Sequence, residues 1–362
     1  MNTQRLRELI DKLLEVDERL AISAALKGAA VAMQNVVNEP SQAQHQAQYS
    51  TLFQTLQQKT MTMLAEFTPA EFELMDEIKA RPMFGQDFTE ELVEAMRSNG
   101  VTPAVVLNKL VALRDHRQKY LDGLTILRDR LQAIGIVASN VRPGNVELGI
   151  LLPRELFSNR FDELVKHLDV LNKVLRIFSE VANGTAEPIE VDQISTSDPT
   201  FYLGMSADVA VMVAGCVTWA ILTWKSIEDI RKVRVEIRKL NAEGKDALEE
   251  SIEKMITETL DKSISTKVKE LLPPDSPPGR KLELNGSLEW ALDQVLSRVE
   301  RGVTVELRFL PPKSPKGQPP ITEEQLRPFQ ALQELSQQLK FPEPTANPIR
   351  PLPSPEPPQA RG

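Results

Sequence analysis

The sequence predicts a predominantly helical α+β protein: an N-terminal helical or coiled-coil region followed by an α+β module built around a long apolar central helix. Three observations carry that expectation. Glycine is scarce, at 16 of 362 residues, and 14 of the 26 prolines fall after Leu310, so most of the chain lacks helix breakers. Apolar residues recur at spacings of three and four through most of the first 135 positions. Short apolar runs bounded by turn residues interleave with helical stretches beyond that point, in the order β-α-β-β-α-β with extra helices before the last strand. The chain therefore divides into a helical bundle or coiled-coil arm over residues 1–135, an α+β module over 136–310 and a proline-rich, largely disordered tail over 311–362.

Leu6, Leu9, Leu13, Val16 and Leu20 open a first helical pattern, which Asn38-Glu39-Pro40 stops. A second helix carries Tyr49, Leu52, Phe53, Leu56, Met63 and Leu64. Thr68-Pro69-Ala70-Glu71 then has the form of a capping box, and a third helix runs from it to near Arg81-Pro82. After Thr102-Pro103 comes the strongest periodic signal. Val106, Leu110, Leu113, Arg117, Tyr120, Leu124, Leu127, Leu131 and Ile134 alternate in steps of four and three, the seam of a coiled coil over about four heptads. Val106, Leu110, Leu113, Arg117, Tyr120, Leu124 and Leu127 are the candidate interaction residues. The seam closes either on the earlier helices of the same chain, which need a partner surface, or on a second copy. Arg117 interrupts it. Either its stem packs while its head reaches solvent, or it selects register or partner.

Gly135 ends that helix, and Val146 to Leu152 reads as a strand between Pro143-Gly144 and Pro153. Residues 157–182 return to helical spacing through Phe161, Leu164, Leu168, Leu171, Leu175 and Phe178, with Asn183-Gly184 as the stop. Ile189 to Ile194 and Thr200 to Leu203 flank a turn-rich segment and form a hairpin. Helices over Asp246 to Leu271 and Leu288 to Val299 follow, separated by the break PPDSPPG, and Val303 to Leu310 is the last strand. Beyond it lies one amphipathic interlude, Thr322 to Leu339. The final stretch is expected to be extended and solvated. Within it, Pro348-Ile349-Arg350-Pro351 has the minimal spacing for an aromatic-lined groove.

Met205 to Trp224 is long enough to cross a hydrocarbon layer and has aromatic and basic flanks. Four features oppose a span. Asp208 lies one turn inside it, the apolar content comes largely from Ala and Gly, the stripe continues through Ile227, Ile230, Val233, Ile237 and Leu240 among charges, and the strands on both sides would have to part. The favoured reading is the dry centre of a soluble fold, with Asp208 capping the first turn. Membrane association through residues 205–224 is the alternative.

A net charge of -8 repels phosphate backbones, so nucleic acid is not an expected partner. The single cysteine, Cys216, and a charged N-terminus point to a reducing, cytoplasmic setting, with membrane association again the alternative. His45, His116 and His167 fall on different helices without ligand spacing, and no glycine-rich phosphate loop occurs. Gly204-Met205-Ser206-Ala207-Asp208 follows a strand as a GxSxG nucleophile turn does, but Asp208 replaces the small residue the bend needs, and Ser206 is read as a helix cap. No catalytic, cofactor-binding or metal residue is assigned. The expected function is a non-enzymatic interaction or assembly protein acting on a protein partner or its own copies; the alternative is a membrane-associated effector or sensor.

Overall fold

A single alanine divides what the sequence presents as one long amphipathic helix. The computed structural model describes residues 3–98, 102–138, 141–195, 199–239, 245–274, 277–314, 320–344, 348 and 351–357. The chain forms two units, residues 1–140 and 141–362. The described part of the first holds α1 (Thr3–Leu20), α2 (Ile22–Asn38), α3 (Ala43–Ala65), α4 (Pro69–Glu77), α5 (Arg81–Phe84), α6 (Gln86–Ser98) and α7 (Pro103–Ala133). Between α1 and α2, Ala21 takes left-handed dihedrals (φ 50°, ψ 44°) and the axes bend by 48°. The Ser23 hydroxyl spans the break by donating to both Asp17 carboxylate oxygens, at 3.1 and 2.9 Å. Leu13, Val16, Ile22 and Leu26 are buried in one core, so the bend keeps both apolar faces inward and leaves no mark on the periodicity.

The capping box of α4 forms as expected. Thr68 Oγ1 accepts from the Glu71 N–H at 3.3 Å, and Glu71 Oε2 accepts from the Thr68 N–H at 2.8 Å. Lys12 reinforces it by donating to both Glu71 oxygens, at 2.8 and 2.7 Å. The helix it starts is shorter than the sequence indicates. Lys79 turns the chain at φ 56°, and Pro82 sits in the first turn of α5, where its missing N–H costs nothing. The separate helix α6 follows and buries Phe88, Leu92 and Ala95. Within this unit α2 lies against both α3 and α7.

The second unit runs β1 (Val146–Leu151), a 3-10 turn (Arg154–Phe157), α8 (Phe161–Asn183), β2 (Glu190–Ser195), β3 (Thr200–Met205), α9 (Ala207–Lys239), α10 (Lys245–Leu271), α11 (Pro278–Glu300), β4 (Thr304–Phe309) and α12 (Glu323–Gln338). The sheet order is β2-β3-β1-β4 with every neighbouring pair antiparallel. That is the strand order of the split β-α-β-β-α-β unit, so the predominantly helical α+β fold is the one the sequence predicts. Val146, Leu148 and Ile150 share a face with Phe201, Leu203, Val305 and Leu307, and all of these belong to the helix-covered core. On the opposite face Glu147 pairs with Arg308 across the β1–β4 ladder, and the Arg308 guanidinium lies 5.3 Å from the Tyr202 ring centroid. Gly149 admits Tyr202 there: a Cβ at that position would stand 3.0 Å from the ring and 2.8 Å from Glu306 Cγ.

α9 is the centre of this unit. Val209, Ala210, Val213, Ala214, Cys216, Val217, Ala220 and Ile221 are buried in the core, with α8, α10, α11 and α12 packed around the helix and β1 and β4 touching it. Small residues let those neighbours approach closely. Its segment Ala207–Lys232 is long and apolar enough to cross a membrane: an 18-residue window within it has a mean hydropathy of 1.6, and 61% of that window is buried. α8 ends at Gly184 in the left-handed conformation (φ 76°), as the sequence expects. α11 starts ten residues before the expected Leu288, with Pro278 in its first turn.

Past residue 310, where composition indicates a solvated tail, the chain still contributes to the core. The capping box of Thr322 and Gln325 opens α12, whose Phe329 and Leu332 are buried with Leu339 against the α9 cluster. Ile349 and Arg350 of the proline motif lie outside the described residues; Pro351 begins a described segment that reaches Pro357.

Candidate functional site

The seam of α7 is the first candidate, and most of it faces its own unit. Val106, Leu110, Leu113, Leu121, Leu124 and Leu131 are buried together with residues of α1, α2 and α3. Tyr120 is half-buried and donates its hydroxyl to the Ile78 carbonyl at 2.9 Å, while burial pushes its pKa up to about 12. Arg117 does not follow the first sequence-based reading. It is 1% exposed, so its head does not reach solvent. Its Nη2 and Nε donate to Asp17 Oδ1 at 2.8 and 3.2 Å, Nη1 donates to the Met83 carbonyl, and the guanidinium lies 4.4 and 4.9 Å from the Phe84 and Phe88 ring centroids. Burial lowers its pKa, and Asp17 partly opposes that. The charge thus ties α1, the α5–α6 corner and α7 together.

The seam runs out of cover at its C-terminal end. Leu127 is 39% exposed, Ile134 is 72% exposed and the adjacent Ile126 is 62% exposed, although Leu131 between them is buried. Arg7 holds this end of α7 from the side, donating to the Arg128 carbonyl at 2.8 Å and to Asp11 at 2.9 Å.

In the second unit the structure assembles a polar cluster that the sequence reading missed. Trp290 and Gln294 stand one turn apart on α11, and Trp290 Nε1 and Gln294 Nε2 both donate to the Ser354 carbonyl, at 2.8 and 2.7 Å. Lys173 on α8 pairs with Glu356 at 2.8 Å and with Asp169 at 2.8 Å. Beneath them Arg298 is 4% exposed, and its contacts are the Gln294 side-chain and main-chain oxygens and, at 3.3 Å, His167 Nδ1. His167 Nε2 donates to the Leu156 carbonyl at 3.2 Å, which leaves Nδ1 as the acceptor facing Arg298. Burial, with Arg301 nearby, brings the Arg298 pKa down to about 10. Burial and the Arg298 charge likewise lower that of His167. A tryptophan and a glutamine spaced i, i+4, with a proline-rich segment later in the chain, were the legible signals; which meets which is long-range.

The remaining candidates serve structure. Ser206 precedes α9, and its carbonyl accepts from the Ala210 N–H at 3.1 Å, but its hydroxyl contacts Asn183 Nδ2 at 3.2 Å instead of capping the helix. Asp208 lies in the first turn of α9. Cys216 is fully buried, and its thiol pKa is pushed up to about 12, which suppresses the thiolate. Among the described residues no group of three or more His, Cys, Asp or Glu side chains is placed to hold a metal ion. Compared with known proteins, the chain matches no family model, no curated protein and no solved structure.

Proposed function

We propose that this chain is a non-enzymatic interaction protein: a helical scaffold that self-associates through the last turns of α7, carried with an α+β unit in a reducing, cytoplasmic setting. The observation that supports this is the uneven cover at the C-terminal end of the seam. Tyr120 apart, which is half-buried, the seam is buried as far as Leu124; beyond it Leu131 is still buried, but Ile126, Leu127 and Ile134, the residue just past the end of α7, are exposed. Singly scattered exposed apolar residues need no explanation, but three grouped at the end of a packed seam are a candidate contact surface. Association is thereby assigned to Ile126, Leu127 and Ile134, while Val106 to Leu124 hold the unit itself. Light scattering of the purified chain at about 50 µM checks it, a concentration at which contacts of micromolar affinity persist. The expected result is a dimer mass that Leu127→Asp with Ile134→Asp reduces to a monomer. A wild-type monomer at that concentration overturns the assignment.

The length and hydropathy of Ala207–Lys232 favour a second reading, a membrane-associated effector that inserts α9. Insertion requires parting α9 from α8, α10, α11 and α12. The soluble reading is preferred for that reason.

A further inference from the structure

We propose that the α8–α11 surface is a docking site for an extended, proline-rich acidic peptide supplied by a partner, with the chain's own residues 351–357 seated in it as a displaceable occupant. The argument starts from what sits there. Ser354 lies in the run Pro351-Leu352-Pro353-Ser354-Pro355-Glu356-Pro357, a composition that favours the polyproline conformation. A chain in that conformation makes no internal backbone hydrogen bonds, so its carbonyls are free to accept, and little conformational entropy is lost on docking. Here the run bends at Pro355-Glu356, where the Glu356 N–H donates to Ser354 Oγ at 3.4 Å. The surface supplies the matching donors. Trp290 Nε1 and Gln294 Nε2 converge on the Ser354 carbonyl and satisfy both of its lone pairs. Two residues further on, Lys173 takes the Glu356 carboxylate.

Gln294 is oriented for this role from below. Arg298 Nη1 donates to Gln294 Oε1, which forces the amide N–H₂ outward to the peptide. His167 in turn accepts from Arg298 Nη2, so the donor facing the tail is held by a polar chain anchored on the Leu156 carbonyl. A surface whose donors are fixed by its own core is built to receive a carbonyl. The ligand chemistry follows: an extended segment with prolines on either side of the accepting carbonyl and a carboxylate two residues beyond it.

The resident segment is held by three hydrogen bonds, the third a long one of 3.5 Å from Lys173 Nζ to the Pro355 carbonyl, and by one ion pair whose Glu356 partner is 71% exposed. Such a grip is weak and depends on the tether, which keeps the tail at an effective concentration on the order of millimolar. A peptide in trans competes against that concentration.

The proposal is independent of the α7 patch, and its test reads a different quantity. A fluorescein-labelled peptide, PLPSPEP, is titrated against the full chain and against a full chain whose own tail carries Pro353→Gly, Pro355→Gly and Glu356→Lys. Saturable binding to the tail variant, at least about tenfold tighter than to the wild type, is expected because the tethered competitor has been weakened. Gln294→Glu in the tail variant keeps Arg298 paired but turns an oxygen toward the peptide carbonyl. It should cost about tenfold in affinity or more, and Trp290→Phe, which keeps the ring and loses the donor, about threefold to tenfold. Lys173→Glu should weaken binding, and a peptide with Lys in place of its Glu should recover part of the loss. Absence of saturable binding to the tail variant overturns the proposal. Affinities indifferent to Gln294→Glu and Trp290→Phe, or equal for the two tails, do the same.

Discussion

Arg117 and His167 are both basic residues in apolar surroundings, and the structure handles them in opposite ways. Arg117 keeps its charge because Asp17 stands 2.8 Å away and two aromatic faces flank it. Breaking a buried pair by removing one partner costs about 3–5 kcal/mol, while exchanging both for apolar groups is often close to neutral. Asp17→Asn should therefore lower the unfolding free energy of the N-terminal unit by about 3 kcal/mol, and Asp17→Leu with Arg117→Met should lower it less; urea titrations of the three chains decide. His167 is instead kept neutral, by burial first and by the Arg298 charge second, with the hydrogen bond to the Leu156 carbonyl and then Glu163 opposing and Arg301 adding to the shift. Its folded pKa lies below the ordinary 6.5. Above 6.5 the ring is neutral folded and unfolded, and pH has no leverage through it. As pH falls below 6.5 the unfolded chain takes up the proton while the folded one resists, so stability declines until the folded value is passed. Urea midpoints at pH 7.5, 6.5 and 5.5 should fall with acidification, and less steeply in His167→Gln, which retains an acceptor for Arg298 and a donor for Leu156.

At the scale of the element, the α1–α2 corner carries a local cost at one known place. Alanine in the left-handed region is disfavoured by about 1–2 kcal/mol, whereas glycine is at ease there. Ala21→Gly should thus raise stability by about 0.5–1 kcal/mol, and Ala21→Val should lower it, as thermal or urea unfolding will report. This corner also shows where sequence reading stops. Strand positions, the α7 helix and the Thr68 capping box are encoded in neighbouring residues, by alternation, by period and by an i, i+3 reciprocal bond, and each was readable, although β3 runs on to Met205, where the sequence reading starts the apolar helix. The left-handed turns at Ala21 and Lys79 use residues with no preference for that conformation, so tertiary packing imposes them. α6 was the avoidable omission, since Phe88, Leu92 and Ala95 keep helical spacing. The partners of Arg117 and of the Ser354 carbonyl lie 100 and about 60 residues away, and pairing at that range is a property of topology that periodicity does not carry.

For the whole molecule the deciding question is which solvent surrounds α9, and one side chain separates the two answers. Leu222 is 58% exposed, whereas its neighbours Ile221, Thr223 and Trp224 are buried. In the folded unit an arginine there meets water, and a surface substitution of that kind changes stability by about 0.5 kcal/mol or less. In a bilayer the same residue falls near the C-terminal end of the apolar stretch that closes at Trp224, where replacing a leucine by arginine weakens insertion by less than the cost of about 2.5–3.5 kcal/mol at the middle of a span. The buried positions do not discriminate in this way, because a charge at Ala214 is ruinous in protein and lipid alike. Leu222→Arg should therefore leave expression, urea midpoint and detergent-free recovery of the full chain unchanged, and neither wild type nor variant should rise with phosphatidylcholine vesicles in a flotation gradient. A wild-type chain that floats and an arginine variant that does not would place α9 in lipid, and the packing of α8, α10, α11 and α12 around it would then describe only the state before insertion.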